Sequence, residues 1–419
     1  MTALRSARLA LDLLTAEGPA SLARRALDRM AESAERKDFP AEADWPRDPA
    51  IATLYLLATP PAPRLGGVQA QLVARRLRDR AAGRPFALLY PWNGRYRLEI
   101  ERGGRRAALD LGAAEPGPSE APPELAPGPL VRAARDAFAR CGARQLRVEG
   151  AAGLPLAGLL DLSSSLPLHL ALHDFALFCP RPHLAEEPNG DFCRWSRDPV
   201  RCAACLRRSW PVAEEYPRSR RSLAARLVSS VERAIFPSAF LERTHLNLFP
   251  GLEMERTRVE PPISLARRVV GSRPQAPPRR IAFVGAAKRF KGAELFADLV
   301  ADLSPRHPEI EWHAFGGGDT ALLRKLREEG VLVHGYYRAG TLPAQLARHQ
   351  IDLALLLSIV PESYGLTLDE CALARVPFLT FDLGAQADRA AALGGSVVPL
   401  AEGAEGLAAR IVAAATARS

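Results

Sequence analysis

A strand-helix alternation that runs, breaks and then restarts limits this chain more than any other feature. From residue 51, IATLYLLATPP is followed by the helical period of GGVQAQLVARRLRDRAAG; RQLRVEG, PLAGLLDLSSS, PLHLALHDF and AIFPS continue the series before AFLERTHLNLF. The Pro-rich stretch GSRPQAPPR (271–279) interrupts it, and RRIAFVG then opens a second series. EIEWHAFGGG, VLVHGYY, DLALLLS, PFLTFDL and SVVPL supply its later strands, with helical segments such as AELFADLVADL and TALLRKLREEG between them. Alternation of this kind predicts βαβ units on parallel sheets. At 419 residues the chain exceeds one ordinary core. We therefore expect an α/β architecture of two doubly wound domains, 51–270 and 279–419, with the Pro/Gly/Glu-rich segment 112–130 as a loop.

Residues 1–50 read differently. LALDLL and LARRALDRMAESAER carry helical spacing in a polar, Ala/Arg-rich context, which predicts a helical extension packed on a domain surface. Its Arg and apolar faces would also suit a membrane surface, but the apolar face is weak. No apolar run reaches the roughly 18 residues of a membrane span, and the N-terminus lacks a secretory pattern, so a cytoplasmic protein is expected. The net charge of +9 comes almost entirely from arginine, with lysine only at Lys37, Lys288, Lys291 and Lys325. The arginines are scattered without an aromatic-interleaved stripe, which argues against nucleic-acid binding.

Ligands of open α/β sheets bind beyond the carboxyl ends of the strands. In PESYGLTLDECALARVP (361–377), a loop after the strand DLALLLS leads into a helix, with Glu362 and Glu370 separated by seven residues. Gly365 and its neighbours would present free N–H groups at the helix start, an anion site to which Ser363 and Thr367 add hydroxyls. The carboxylates would repel a phosphate but accept from vicinal hydroxyls; a phosphate flanked by two polyols is a nucleotide sugar. The plain alternative is a helix cap and a solvated helix residue. Lys288 and Lys291 share the loop VGAAKRFKGAEL, where an ammonium suits a phosphate oxygen or is simply solvated. Gly316 and Gly317 end the next strand in a run that admits close backbone approach. Earlier, Gly66 and Gly67 suit either a phosphate or a tight turn, and His173 at a strand end is either structural or a donor to sugar or phosphate.

Four cysteines cluster at Cys179, Cys193, Cys202 and Cys205, within a Cys-rich insertion at 179–210. Disulfides are not expected in a reducing compartment, and the spacing is neither a zinc ribbon nor a redox unit. Four thiolates remain a candidate structural zinc site, set against unliganded cysteines.

The array GGV, HDF with CPR, a KG loop, GGG, and E-x7-E followed by A-x-A-x-x-P resembles the family 4 glycosyltransferases of GT-B fold, over most of residues 51–415. The resemblance implies two facing Rossmann-like sheets with an inter-domain cleft. It also implies transfer of a sugar, with retention of configuration and no required metal, from a nucleotide-diphosphate sugar to a glycan or lipid-linked acceptor. On that resemblance Glu362 holds donor-hexose hydroxyls and Glu370 the ribose. Ser363, Tyr364, Gly365 and Leu366 cradle sugar and diphosphate, Lys291 neutralises the leaving diphosphate, and His173 contacts the donor or acceptor near the reacting carbon. The relatives build bacterial surface polysaccharides, which suggests work at the inner face of the cell membrane. One departure stands out: Ala286 follows Gly285 where the family commonly has Arg. A non-catalytic sugar- or partner-binding module of the same fold is the alternative that Ala286 favours.

Overall fold

The computed structural model describes residues 2–37, 51–61, 67–103, 105–114, 128–264 and 278–416. Gly66, residues 38–50, most of the 112–130 segment and most of the Pro-rich 271–279 stretch therefore lie outside the described residues. Two compact units divide the chain. One runs from Arg36 to Ile263 apart from Gly190–Phe192; the other gathers the helices before Arg36 with the chain from Ser264 onward.

The chain opens with helices α1 (Thr2–Glu17) and α2 (Pro19–Lys37). Strands β1 (Thr53–Leu56), β2 (Phe86–Trp92), β3 (Arg95–Arg102), β4 (Arg105–Ala113), β5 (Gln145–Glu149) and β6 (Leu168–Ala171) follow. The short β7 (Ala185–Glu186) and β8 (Asp191–Phe192) pair with each other, and β9 (Arg233–Phe236) and β10 (Thr257–Val259) complete the region. Helices α3 (Gly67–Ala81), α4 (Pro129–Cys141), α5 (Leu156–Ser163), α6 (Pro199–Arg207), α7 (Tyr216–Ser230) and α8 (Ala239–Leu248) alternate with them.

The eight-stranded sheet has the order β10-β9-β6-β5-β1-β2-β3-β4. It is parallel from β10 to β2, but β3 and β4 add to that edge as an antiparallel meander. The parallel sheet expected from the sequence gains this antiparallel edge for a local reason. Asn93 (φ 49°) and Gly94 (φ 74°) both take the left-handed conformation that a two-residue hairpin turn demands.

The second sheet is parallel throughout. It comprises β11 (Arg280–Val284), β12 (Glu311–Phe315), β13 (Leu332–Gly335), β14 (Leu353–Leu356), β15 (Phe378–Phe381) and β16 (Gly395–Val398). Helices α9 (Ala293–Leu303), α10 (Thr320–Glu328), α11 (Leu342–Arg348), α12 (Leu366–Ala374), α13 (Gly384–Ala390) and α14 (Gly403–Thr416) cover its faces. Asp319 caps α10 by accepting from the N–H groups of Ala321 and Leu322, as an Asp at that position should. The strand order β13-β12-β11-β14-β15-β16 reverses direction between β11 and β14, the doubly wound arrangement with its topological switch point at that pair.

The N-terminal helices are built into this second unit. Ala16 is fully buried in the same apolar cluster as Ile281, Phe296 and Leu323. Glu17, 3% exposed, accepts from the Arg25 guanidinium and the Ser21 hydroxyl, and their hydrogen bonds hold its carboxyl below the usual range against the cost of burial. Arg24 donates to the carbonyls of Tyr336 (3.0 Å) and His334 (2.9 Å), which satisfies the end of β13. Glu17→Ala would strand Arg25 and the Ser21 hydroxyl, and should cost about 2–4 kcal/mol. Urea unfolding would read this as a lower midpoint at unchanged slope; an unchanged midpoint would mean that the helices merely rest on the surface.

Candidate active site

A switch point opens a crevice between the carboxyl ends of the strands on either side. Here those strands are β11 and β14, and the loops that leave them carry Lys291 and Glu362. The Lys291 ammonium donates to Glu362 Oε1, and both side chains remain partly exposed, 25% and 21%. The lysine loop is pinned by Gly292 (φ 80°), where a Cβ would collide with the Leu357 carbonyl oxygen. Lys288 and Lys291 flank the Phe290 ring, their ammonium nitrogens 5.6 and 5.7 Å from its centre.

Glu362 leads straight into α12. Gly365 caps that helix at φ 78°, a conformation that only glycine adopts without strain. The first N–H groups of α12 have no partners within the helix, so its N-terminus is electropositive. Arg389 fixes the backbone from the other side. It donates to the Tyr364 carbonyl (2.8 Å), the Tyr364 hydroxyl (2.9 Å) and Asp369 Oδ1 (2.6 Å), and lies 3.7 Å from the centre of the Tyr364 ring.

Glu370 is not a solvated helix residue. It is 9% exposed and accepts one hydrogen bond, from the Gly340 N–H at 3.2 Å. Burial pushes its carboxyl up to about 7, with the Asp369 charge adding to the rise and the Gly340 N–H opposing it.

The glycine run after β12 serves close approach, but by the chain itself. A Cβ on Gly316 (φ 135°) would strike the Gly285 carbonyl oxygen, so the paired ends of β11 and β12 run in close contact there. A Cβ on Gly317 would meet the Arg25 guanidinium and the Glu17 carboxylate, so α1 and α2 occupy that space.

The other unit carries its own strand-end cluster. Gly67 is the first residue of α3. His173, just beyond β6, shares a 2.8 Å hydrogen bond between Nε2 and Glu149 Oε2. An ionised carboxylate only accepts, so Nε2 carries the proton and the imidazole presents Nδ1. Glu149 lies at the end of β5, with its side chain 3% exposed. Burial raises its carboxyl, but Arg147 and the His173 hydrogen bond more than offset that and bring it to about 2. Arg147 donates to Glu149 Oε1 (2.7 Å) and Glu260 Oε2 (3.0 Å), and Arg75 also reaches Glu260. This cluster was missed in the sequence, although Arg147 and Glu149 sit at alternate positions of an apolar strand, where two charges on one buried face signal a pair.

Cys179, Cys193, Cys202 and Cys205 all line one small cavity of about 20 Å³. Each sulfur accepts a hydrogen bond. Cys179 takes the Arg181 N–H, Cys193 those of Ser196 and Trp195, Cys202 the Arg221 guanidinium (3.2 Å) and Cys205 the Glu187 N–H (3.3 Å). Burial pushes the Cys179 thiol up to about 12.

Residues 278–416 match the family model described as glycosyl transferases group 1. No curated protein matches the sequence. Among solved structures, HepE from Anabaena in complex with UDP and glucose aligns over 87% of this chain and 90% of its own, at TM-score 0.52 and 13% identity. Sucrose-phosphate synthase from Thermosynechococcus elongatus aligns over 87% and 92% at TM-score 0.54 and 17% identity. The pneumococcal O-GlcNAc transferase GtfA in complex with UDP and GlcNAc aligns over 87% and 92% at TM-score 0.53 and 11% identity. At such identities the likeness concerns the fold, which is that of the GT-B glycosyltransferases.

Proposed function

We propose that this chain is a retaining glycosyltransferase. It moves a hexose-type sugar from a nucleotide-diphosphate sugar to a glycan or lipid-linked acceptor, in bacterial surface polysaccharide synthesis. The observation that carries the reading is the Lys291–Glu362 pair at the β11/β14 switch point, inside the region that matches the group 1 glycosyl transferases.

The acceptor hydroxyl attacks the anomeric carbon on the face from which the diphosphate departs. The bond between that carbon and the diphosphate oxygen breaks, and the hydroxyl proton passes to the leaving oxygen. Lys291 and the backbone N–H groups of Ser363, Tyr364, Gly365 and Leu366 take up the charge that develops on the diphosphate. Catalysis in this scheme draws on no cofactor. Glu362 exchanges part of its hold on Lys291 for hydroxyls of the sugar, and His173 offers Nδ1 to sugar or acceptor. Gly67 keeps the backbone near the donor slim and the same role falls to Gly66, whereas Gly316 and Gly317 make room for Gly285 and for α1 and α2. Nucleotide release from a panel of sugar donors, with retained anomeric configuration by NMR, tests the reading.

Glu370 takes the ribose hydroxyls in this scheme, and its raised carboxyl makes that step pH-dependent. The folded-state value, about 7, lies above the ordinary 4.5, so the fold favours the protonated form. The stability it contributes is full below 4.5 and falls by roughly 3 kcal/mol as pH rises through 7. Ribose hydroxyls that donate to the carboxylate favour the ionised form. Nucleotide binding near pH 6.5 should therefore release protons and tighten as pH rises, which calorimetry in buffers of different ionisation enthalpy would measure. Equal proton release from Glu370→Gln would remove Glu370 from the ribose site.

A second reading keeps the fold without the chemistry. Ala286 brings no charge to the diphosphate, and the neighbouring Lys288 lies against Phe290. Donor binding without nucleotide release from any acceptor would favour that reading.

The acceptor is met at the cytoplasmic face of the membrane, where a net charge of +9 suits anionic headgroups. Among the described residues no helix is long and apolar enough to cross a membrane. The four-cysteine cavity is proposed to hold a structural zinc ion. Zinc would convert the thiols to thiolates, for which the N–H and guanidinium donors are already in place.

A further inference from the structure

A second cluster of metal-ligating groups is built from β12, β13 and the end of α11. His313 is in the middle of β12, His334 near the end of β13 and His349 at the C-terminal cap of α11. Parallel pairing sets His313 opposite Leu332 and Ala314 opposite Val333. A register shift then puts Phe315 opposite Gly335 and leaves His334 as the extra residue. Strand alternation, with Val333 in the opposite core, sets His334 on the face that α11 covers, where its ring stacks 4.3 Å from that of Phe315. His349 reaches the same place from the turn between α11 and β14, with its ring centre 4.0 Å from that of His334.

One nitrogen from each of the three imidazoles lies within 4.8 Å of the others. His313 Nδ1 is 2.9 Å from His334 Nε2. Zinc–nitrogen bonds of about 2.0–2.1 Å set tetrahedral ligands about 3.3 Å apart, so small side-chain rotations would suffice. On its far side, His313 Nε2 lies 2.6 Å from Glu311 Oε1. The carboxylate fixes the Nε2–H tautomer and leaves the Nδ1 lone pair directed into the cluster, the arrangement in which a carboxylate orients a metal-bound histidine. His313 is 1% exposed, and its Nδ1 accepts a hydrogen bond from His334 Nε2 that a bound ion would replace.

The cluster opens onto a pocket of about 500 Å³ that Arg280, Arg327 and Arg348 also line. Arg280 is engaged by Gln350 (2.9 Å) and lies 3.8 Å from Glu311. Arg327 donates to the carbonyls of Ala16 (2.9 Å) and Val333 (3.3 Å). Burial, first among the causes, holds all three histidines below the usual imidazole range, and for His334 at about 3. Neutral imidazole is the form that ligates.

We propose that His313, His334 and His349 bind a divalent transition-metal ion of the zinc class, with Glu311 as the positioning residue for His313. The ion fastens the edge strand β13 to β12 and to the α11–β14 turn. The three nitrogens leave a fourth coordination position toward the pocket, where the arginines suit a small anion. The proposal is independent of the glycosyltransferase reading.

Cobalt(II) titration of the chelator-stripped full chain separates this site from the cysteines. In the Cys202→Ser/Cys205→Ser variant, cobalt should still give the visible bands of a four-coordinate nitrogen site, without thiolate charge transfer. His349→Gln, a half-buried change that leaves the strands untouched, should abolish those bands while circular dichroism stays unchanged. Glu311→Gln should weaken zinc binding about 10–100-fold in competition with a chromophoric chelator. A cobalt spectrum like that of the aqueous ion in the cysteine variant would overturn the proposal. So would zinc affinity that His349→Gln and His334→Gln leave unchanged.

Discussion

Lys291→Ala should lower turnover about 100- to 1,000-fold, the usual effect of deleting one preorganised group that stabilises charge in a transition state. Most of the loss should fall on kcat, because charge accumulates on the diphosphate as its bond to the sugar breaks. The ammonium lies outside the core: Lys291 is a quarter exposed and donates to Glu362. The variant should therefore unfold at nearly the same urea concentration as the parent. Deletion of the cation also leaves the Glu362 carboxylate facing the incoming phosphates, so Lys291→Ala/Glu362→Gln should lose less than the two single changes combined. Steady-state kinetics of the four proteins would measure this. An unchanged kcat in Lys291→Ala would separate the ion pair from the chemistry.

Glu149→Ala should be the most destabilising single change in the first unit, at about 3–5 kcal/mol. It removes the carboxylate that holds Arg147 and His173, and leaves the Arg147 guanidinium, its side chain 7% exposed, to Glu260 alone among the described carboxylates paired with it. The stability that Glu149 provides is present above the ordinary carboxylate value. It is lost only as pH falls toward about 2, so acid unfolding of the parent should be late. His173→Ala keeps the Arg147–Glu149 pair and should cost far less stability. Urea unfolding of the two variants would check the ranking, and a smaller loss from Glu149→Ala than from His173→Ala would reverse it.

The second sheet was legible almost strand for strand, because its inner strands β11, β14 and β15 are buried apolar runs. RRIAFVG and DLALLLS read as strands for that reason and became the pair at the switch point. The antiparallel edge of the first sheet was passed over even though PWNGRY contains Asn93-Gly94, a strong short-range hairpin signal.

Local pattern could place Glu362 and Lys291 at strand ends, but only topology brings residues 71 positions apart into one ion pair. The burial of Glu370 was hidden for a related reason: the residues that desolvate it come from elsewhere in the fold, and one neighbour, Gly340, is 30 positions away. Glu17 looked like one more acid in a polar helix; its burial depends on Arg25 and on the end of β13. The histidine cluster draws on three separate elements, which spacing does not announce.

The most direct test of the central claim is release of free nucleotide from UDP-, GDP-, ADP- and dTDP-sugars, with glycan and lipid-linked acceptors, by the parent chain and by Lys291→Ala. The proposed function predicts acceptor-dependent release from at least one donor by the parent, and a loss of about 100-fold or more in the variant. Release that is absent from the parent with every donor, or equal in the two proteins, would contradict it.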